Sequence, residues 1–121
     1  MPAACESTVM PGMTALLFIA QRATAAILAF AVTIHLATIV YAVRGGLTAA
    51  EILARTRHNG WFLALYAVFV LAVAIHAPIG LLNIAREWTN WRGRSLDLAL
   101  AAFALLLVAL GLTAAFALFL A

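Results

Sequence analysis

The sequence contains little charge, no lysine and a single cysteine. Only 9% of its 121 residues are charged while 68% are hydrophobic, which leaves too little polar surface to cover a water-soluble domain. Disorder is excluded as well, because a disordered chain needs high charge and few apolar residues. One cysteine excludes a disulfide scaffold, and seven scattered arginines provide no basic tract for nucleic acid. The composition therefore indicates an integral membrane protein.

Three long segments lack charged residues, and each exceeds the roughly 20 residues that a spanning helix needs. We predict an all-α fold and a single transmembrane domain over residues 1–121. Its three spanning helices are expected at about residues 14–43 (helix I), 60–87 (helix II) and 96–121 (helix III). No basic segment precedes the first apolar run, so we expect no cleaved signal peptide and a mature chain that starts at residue 1.

The two connections carry the residue types of a membrane surface. Residues 47–57 mix apolar and charged positions, and Thr48 and Glu51 have the spacing of a capping box, which predicts a short interfacial helix. The second connection places Trp88 and Trp91 beside arginines, as is typical of a headgroup boundary. Four arginines lie on the N-terminal side and three on the other, which favours a cytoplasmic N-terminus. The expected location is a bacterial or archaeal inner membrane.

Strongly polar side chains within the spans mark functional positions, because each costs about 2 to 3 kcal/mol in hydrocarbon. The set is Gln21, Arg22, His35, His76 and Asn83. Gln21 and His35 lie within about 40° of each other around a helix, so they share a face. On helix II, Ala72 and Gly80 lie one turn to either side of His76 and leave room for a flat ligand.

A histidine on each of two helices, with small neighbours, is what a bis-histidine haem requires. The two imidazoles would ligate the haem iron, and polar groups nearer the membrane surface would bind the propionates. Gln21, Arg22 and Asn83 are the candidates for that second role. The alternative is that each histidine forms a helix-to-helix hydrogen bond worth about 1 kcal/mol.

The chain resembles the cytochrome b membrane-anchor subunits of succinate dehydrogenase and fumarate reductase in segments 21–24 (QRAT), 35–36 (HL) and 76–81 (HAPIGL). The likeness covers roughly residues 14–88. By this resemblance, His76 is an axial ligand of haem b. The residues at the quinone and propionate positions are Gln21, Arg22 and Thr24.

Two positions depart from the family pattern. Phe18 replaces a serine common before the helix I arginine, which excludes a quinone hydrogen bond from that side chain. Leu82 replaces a basic residue usual after the helix II histidine, so propionate pairing would shift to Arg86 or Arg22.

Members of this family with two haems carry a helix I histidine about four turns after the polar segment, and His35 matches that spacing. The resemblance implies that His35 and His76 serve different haems, each completed by a histidine from a second set of helices. This chain would then form half of a haem-binding bundle, completed by a second copy or a similar small anchor. Distances counted from Arg22 and Arg86 predict instead that the histidines differ by only about 5 Å in depth, which would permit one shared haem.

The resemblance implies an anchor that passes electrons between flavoprotein and iron-sulfur partners and membrane quinone. Such a subunit carries haem b, one or two per dimeric anchor, and has no activity toward the dicarboxylate by itself. Two other functions fit the residues alone. One is a small dimeric transporter, in which Arg22 and the histidines relay substrate or protons. The other is a haem-free membrane scaffold.

Overall fold

The computed structural model describes residues 11–121, which fold into helices joined by short turns. The helices are α1 (Pro11–Gly45), α2 (Ala49–Thr56), α3 (Gly60–Trp88) and α4 (Arg94–Leu120). The three long helices α1, α3 and α4 are apolar and long enough to cross a membrane, and no strand occurs within residues 11–121. The predicted all-α fold with three spanning helices is confirmed. The expectation that residue 1 begins the mature chain lies outside the described residues.

Side-chain caps determine where the short helix α2 and the spanning helix α3 begin. The Thr48 side chain accepts a hydrogen bond from the Glu51 amide (3.3 Å), and the Glu51 carboxylate accepts one from the Thr48 amide (3.0 Å). The predicted capping box is therefore confirmed. The hydrogen bond from the Thr48 hydroxyl is the main reason that the Glu51 pKa lies below its ordinary value, with a further contribution from nearby Arg55. At α3, the Asn59 side chain accepts from the Trp61 amide (3.1 Å).

α3 packs against both α1 and α4, so the spanning helices form a layer with α3 in the middle. The buried apolar residues are mostly small: Ala31, Ala42, Ala72, Ala74, Leu96 and Ala115. Small residues let helix backbones approach closely where lipid gives no hydrophobic driving force. The approach is tightest at Gly111 of α4, where an added Cβ would lie 2.6 Å from a methyl carbon of Val70. Large apolar side chains instead cover the outside of the layer.

The turn between α2 and α3 is fixed to the end of α4 through His58. The His58 amide donates to the Phe119 carbonyl (2.9 Å), and the two rings meet edge to face at 5.6 Å. His58 has φ +51°, a left-handed conformation in which histidine is more common than most residues. This contact holds the α2 end of the layer together.

α3 continues through Pro78 without interruption. Proline cannot donate a backbone hydrogen bond, so the carbonyl of Ala74 lacks its usual helical partner. Pro78 lines a shallow cleft with Leu100 and Ala101 of α4. The proline therefore lies toward α4, whereas the polar residues of α3 described next lie toward α1.

Candidate functional site

A hydrogen bond joins Thr24 of α1 to His76 of α3. The Thr24 hydroxyl oxygen lies 3.3 Å from His76 Nδ1. Thr24 is buried, with 6% of its surface exposed, and His76 is half-buried. Among residues 11–121, the other ring nitrogen of His76, Nε2, has no hydrogen-bond partner. The imidazole is thus held at one nitrogen and available at the other.

One turn nearer the start of α1, the Gln21 side chain lies against Gly80 of α3. A Cβ added to Gly80 would lie 3.4 Å from Gln21 Nε2, an ordinary contact distance, so the two residues are neighbours across the α1–α3 interface. The amide oxygen Oε1 of Gln21 is buried and has no hydrogen-bond partner within the described part of the chain. Buried acceptors are nearly always paired, so this atom is suited to a donor supplied from outside the chain.

These contacts fix the register between the antiparallel helices α1 and α3, and with it the depth of each residue. Because Gln21 lies beside Gly80, Arg86 lies six residues, or about 9 Å, nearer the membrane surface than Gln21 and its neighbour Arg22. The prediction that Arg22 and Arg86 mark the same depth is therefore wrong. The prediction fails because α1 begins at Pro11 and so extends farther toward the membrane surface from Gln21 and Arg22 than the charge pattern indicated.

His35 lies at a different depth from His76. Thr24 is level with His76, and His35 follows Thr24 by eleven residues, which is about 16 Å along α1. The prediction of a 5 Å difference is wrong for the same reason. This separation of about 16 Å is too large for His35 and His76 of the same chain to reach one shared ligand atom.

The surroundings of His35 combine apolar side chains with one phenol and, farther along a cavity, the guanidinium of Arg55. Its ring meets Tyr66 of α3 edge to face, with centroids 6.2 Å apart. His35 is exposed and lines a cavity of about 220 Å³ between α1 and α3, which reaches Arg55 on the interfacial helix. Sequence reasoning missed Tyr66; a hydroxyl within an otherwise apolar span was the available signal.

The remaining predicted site residues, Arg22, Asn83 and Arg86, are exposed, and the structure does not bring them to His76. Arg22 precedes Thr24 by two residues, which is about 200° around the helix, so it projects from the side of α1 opposite α3. Its guanidinium carbon lies 5.7 Å from the centre of the Phe18 ring. Any group that contacts Arg22 therefore does so from outside this layer.

Comparison with known protein families identifies a match. The family model described as succinate dehydrogenase/fumarate reductase transmembrane subunit matches residues 5–118. No curated protein and no solved structure matches the chain. The matched range extends from before α1 nearly to the end of α4, and it includes both histidines discussed above.

Proposed function

Because the chain belongs to the family of succinate dehydrogenase/fumarate reductase transmembrane subunits, as its motifs predicted, we propose that it is a cytochrome b anchor of such a complex. In this function it passes electrons between an iron-sulfur partner and membrane quinone. It has no activity toward the dicarboxylate by itself, since that chemistry belongs to the soluble flavoprotein. The observation that carries the proposal is the imidazole of His76, held between two spanning helices with Nε2 available.

The residues around His76 fit haem b. Nε2 has no protein partner in residues 11–121, and Ala72 and Gly80, one turn to either side of His76 on α3, are both small. Bound haem b supplies a one-electron carrier between the iron-sulfur partner and quinone. Asn83 and Arg86 lie two to three turns nearer the surface on the same helix and are the candidates for the propionates.

A second haem is proposed at His35, because the 16 Å separation along α1 excludes a haem shared with His76. Each site then provides one imidazole, since the chain holds one histidine at each depth, and a bis-histidine site would need a second. A second copy of this chain supplies both missing imidazoles around a two-fold axis. A similar small anchor subunit is the other source. The identical copy is favoured because one chain carries both motifs.

The quinone site is proposed at the level of Gln21 and Arg22. A buried amide oxygen without a donor suits the hydroxyl group of a bound hydroquinone, which donates a hydrogen bond. Arg22 projects from the opposite side of α1 and carries a fixed positive charge. It would contact the carbonyl of a quinone, or a haem propionate, held against an adjoining subunit.

A reduced-minus-oxidised spectrum of the purified anchor tests the cofactor. We expect a b-type band that His76→Ala lowers to about half, because the haem proposed at His35 remains, while the chain still inserts into the membrane. His58→Ala is the matched control, because His58 lies in the turn at the other end of α3 and should leave the band unchanged. An unchanged band in His76→Ala refutes the assignment, and the absence of any band in the parent protein leaves a haem-free anchor.

Quinone binding is tested separately with Arg22→Leu. This change should lower quinone reductase activity at least about tenfold, because a charge-assisted hydrogen bond is worth roughly 1.5–3 kcal/mol. Activity of the same complex with a soluble electron acceptor should be retained. Equal losses with both acceptors indicate a defect in assembly and contradict a role in quinone binding.

We propose that the flavoprotein and iron-sulfur subunits dock at the end of the layer where α1 begins and α3 meets α4. That end carries Arg86, Arg92 and Arg94, all exposed. The N-terminus then lies on the cytoplasmic side of an inner membrane. Labelling of Cys5, the single cysteine, with a membrane-impermeant maleimide should succeed in inside-out vesicles and fail in right-side-out vesicles; the reverse pattern refutes this orientation.

A further inference from the structure

We propose that Thr24 is a positioning residue, which holds the His76 imidazole in the tautomer with its proton on Nδ1. In that tautomer Nε2 carries the free lone pair and is ready to bind a metal. The inference deepens the proposed function, because it assigns Thr24 to orienting the His76 imidazole rather than to binding quinone or a propionate. Its consequence for haem binding rests on the proposed function. The tautomer itself depends only on groups of this chain.

The direction of the hydrogen bond follows from the other contacts of the hydroxyl. Thr24 Oγ1 lies 2.7 Å from the Ala20 carbonyl oxygen and 3.2 Å from that of Gln21. A hydroxyl has one proton, and the short contact shows that it is donated to the Ala20 carbonyl. Towards His76 the oxygen therefore only accepts. Nδ1, at 3.3 Å, must be the donor and must carry the proton.

The position of this oxygen is well determined. Threonine is branched at Cβ and has few rotamers in a helix, and its bond to the carbonyl four residues earlier selects one of them. Thr24 is only 6% exposed, so its hydroxyl lies in a low-dielectric interior, where a hydrogen bond is stronger than one in water. The imidazole thus has one favoured tautomer and one favoured ring orientation.

Thr24 differs from Thr33 and Thr38 of α1 in this respect. Thr33 and Thr38 donate to the carbonyls four residues before them at 2.8 Å, as Thr24 does. Neither has a side-chain hydrogen bond to another helix within residues 11–121. Local backbone bonding therefore does not account for the contact between Thr24 and His76, and Thr33 provides a matched control.

The tautomer is measured directly by nitrogen-15 NMR of the full-length chain in nanodiscs, labelled at histidine and prepared without haem. The His76 signals are identified by their loss in His76→Ala. We expect a single Nδ1-protonated form in the parent, in Thr24→Ser, which keeps the hydroxyl, and in Thr33→Val. Thr24→Val, which has the same shape without the hydroxyl, should show a mixture of tautomers. A parent-like spectrum for Thr24→Val overturns the inference.

The consequence is measured in the haem-loaded chain. Hydrogen-bond partners of metal-ligating histidines typically change metal affinity 10- to 100-fold, so Thr24→Val should release haem at least about tenfold faster than the parent. Its haem midpoint potential should rise, because an imidazole without an acceptor at Nδ1 is a weaker electron donor. Thr24→Ser should restore both properties, and failure of that rescue contradicts the positioning role. If the parent binds no haem, the proposed cofactor is refuted, while the tautomer measurement still tests Thr24.

Discussion

Replacing His35 with alanine should remove one haem and leave the other intact. Thr24 is hydrogen-bonded to His76, so the two are at one depth, and His35 follows Thr24 by eleven residues. At a rise of about 1.5 Å per residue, His35 is about 16 Å from the level of His76. That distance is about half the thickness of the hydrocarbon core of a bilayer. The haems proposed at the two imidazoles are therefore separate cofactors.

The measurement is haem quantified per chain, with redox titration of the b-type band. A symmetric dimer with His35 paired to His35 and His76 paired to His76 holds about one haem per chain. His35→Ala and His76→Ala should each reduce this to about half, and each should remove a different step of the titration. The double variant should contain none. His58→Ala controls for the loss of a histidine as such.

Loss of all haem in His35→Ala, with the chain still in the membrane and still dimeric, would refute this reasoning. It would show that both histidines contribute to one cofactor or that the sites form only together. A single step of unchanged amplitude in His35→Ala would instead show that His35 binds no haem. The edge-to-face contact with Tyr66 would then be its only assigned interaction in the described part of the chain.

Two further predictions concern the scaffold. Gly111→Leu should destabilise the α3–α4 contact by about 1–3 kcal/mol, because even a Cβ at this position would lie 2.6 Å from Val70. Thermal unfolding of the purified anchor measures this loss of stability. Gly12→Leu is the control and should change the stability little, because a Cβ there would have nothing within 4 Å. The hydrogen bonds from Thr48 lower the folded-state pKa of Glu51, so the stability they give α2 is present above the ordinary carboxyl pKa and is lost as pH falls through the lowered pKa. Hydrogen-exchange protection of α2 should therefore fall at acidic pH in the parent, and Glu51→Gln should show no such transition.

The spans and the interfacial helix follow from the sequence because they depend on local properties. Length and hydropathy determine which segments can cross a bilayer, and that rule located all three spanning helices. The capping box of α2 joins Thr48 and Glu51, three residues apart, so its spacing alone predicts the contact. In both cases the residues that interact are close in the chain.

Relations between helices are less accessible to such reasoning. The helical period predicts that Gln21 and His35 share a face of α1, and both do face α3. It does not predict which residues of α3 they meet, because register depends on packing of small residues such as Ala72 and Gly80 along the whole interface. Placing Arg22 and Arg86 at the same depth assumed a register between α1 and α3. The error in the predicted depths of the two histidines followed from that assumption.

The same register bears on why the chain needs a partner. The midpoint of α3 is at Ala74, and Gly80 lies about 9 Å from it, within the half-thickness of about 15 Å of the hydrocarbon core. Arg22, next to the residue that contacts Gly80, is therefore at hydrocarbon depth, and it projects away from α3. An arginine facing lipid costs about 2.5–3.5 kcal/mol at the bilayer centre on lenient insertion scales, and a smaller part of that cost remains at this depth. That cost is offset where Arg22 contacts an anionic or polar group, supplied by an adjoining subunit, a haem propionate or a quinone. Burial of Arg22 therefore favours assembly, in addition to any role in the reaction.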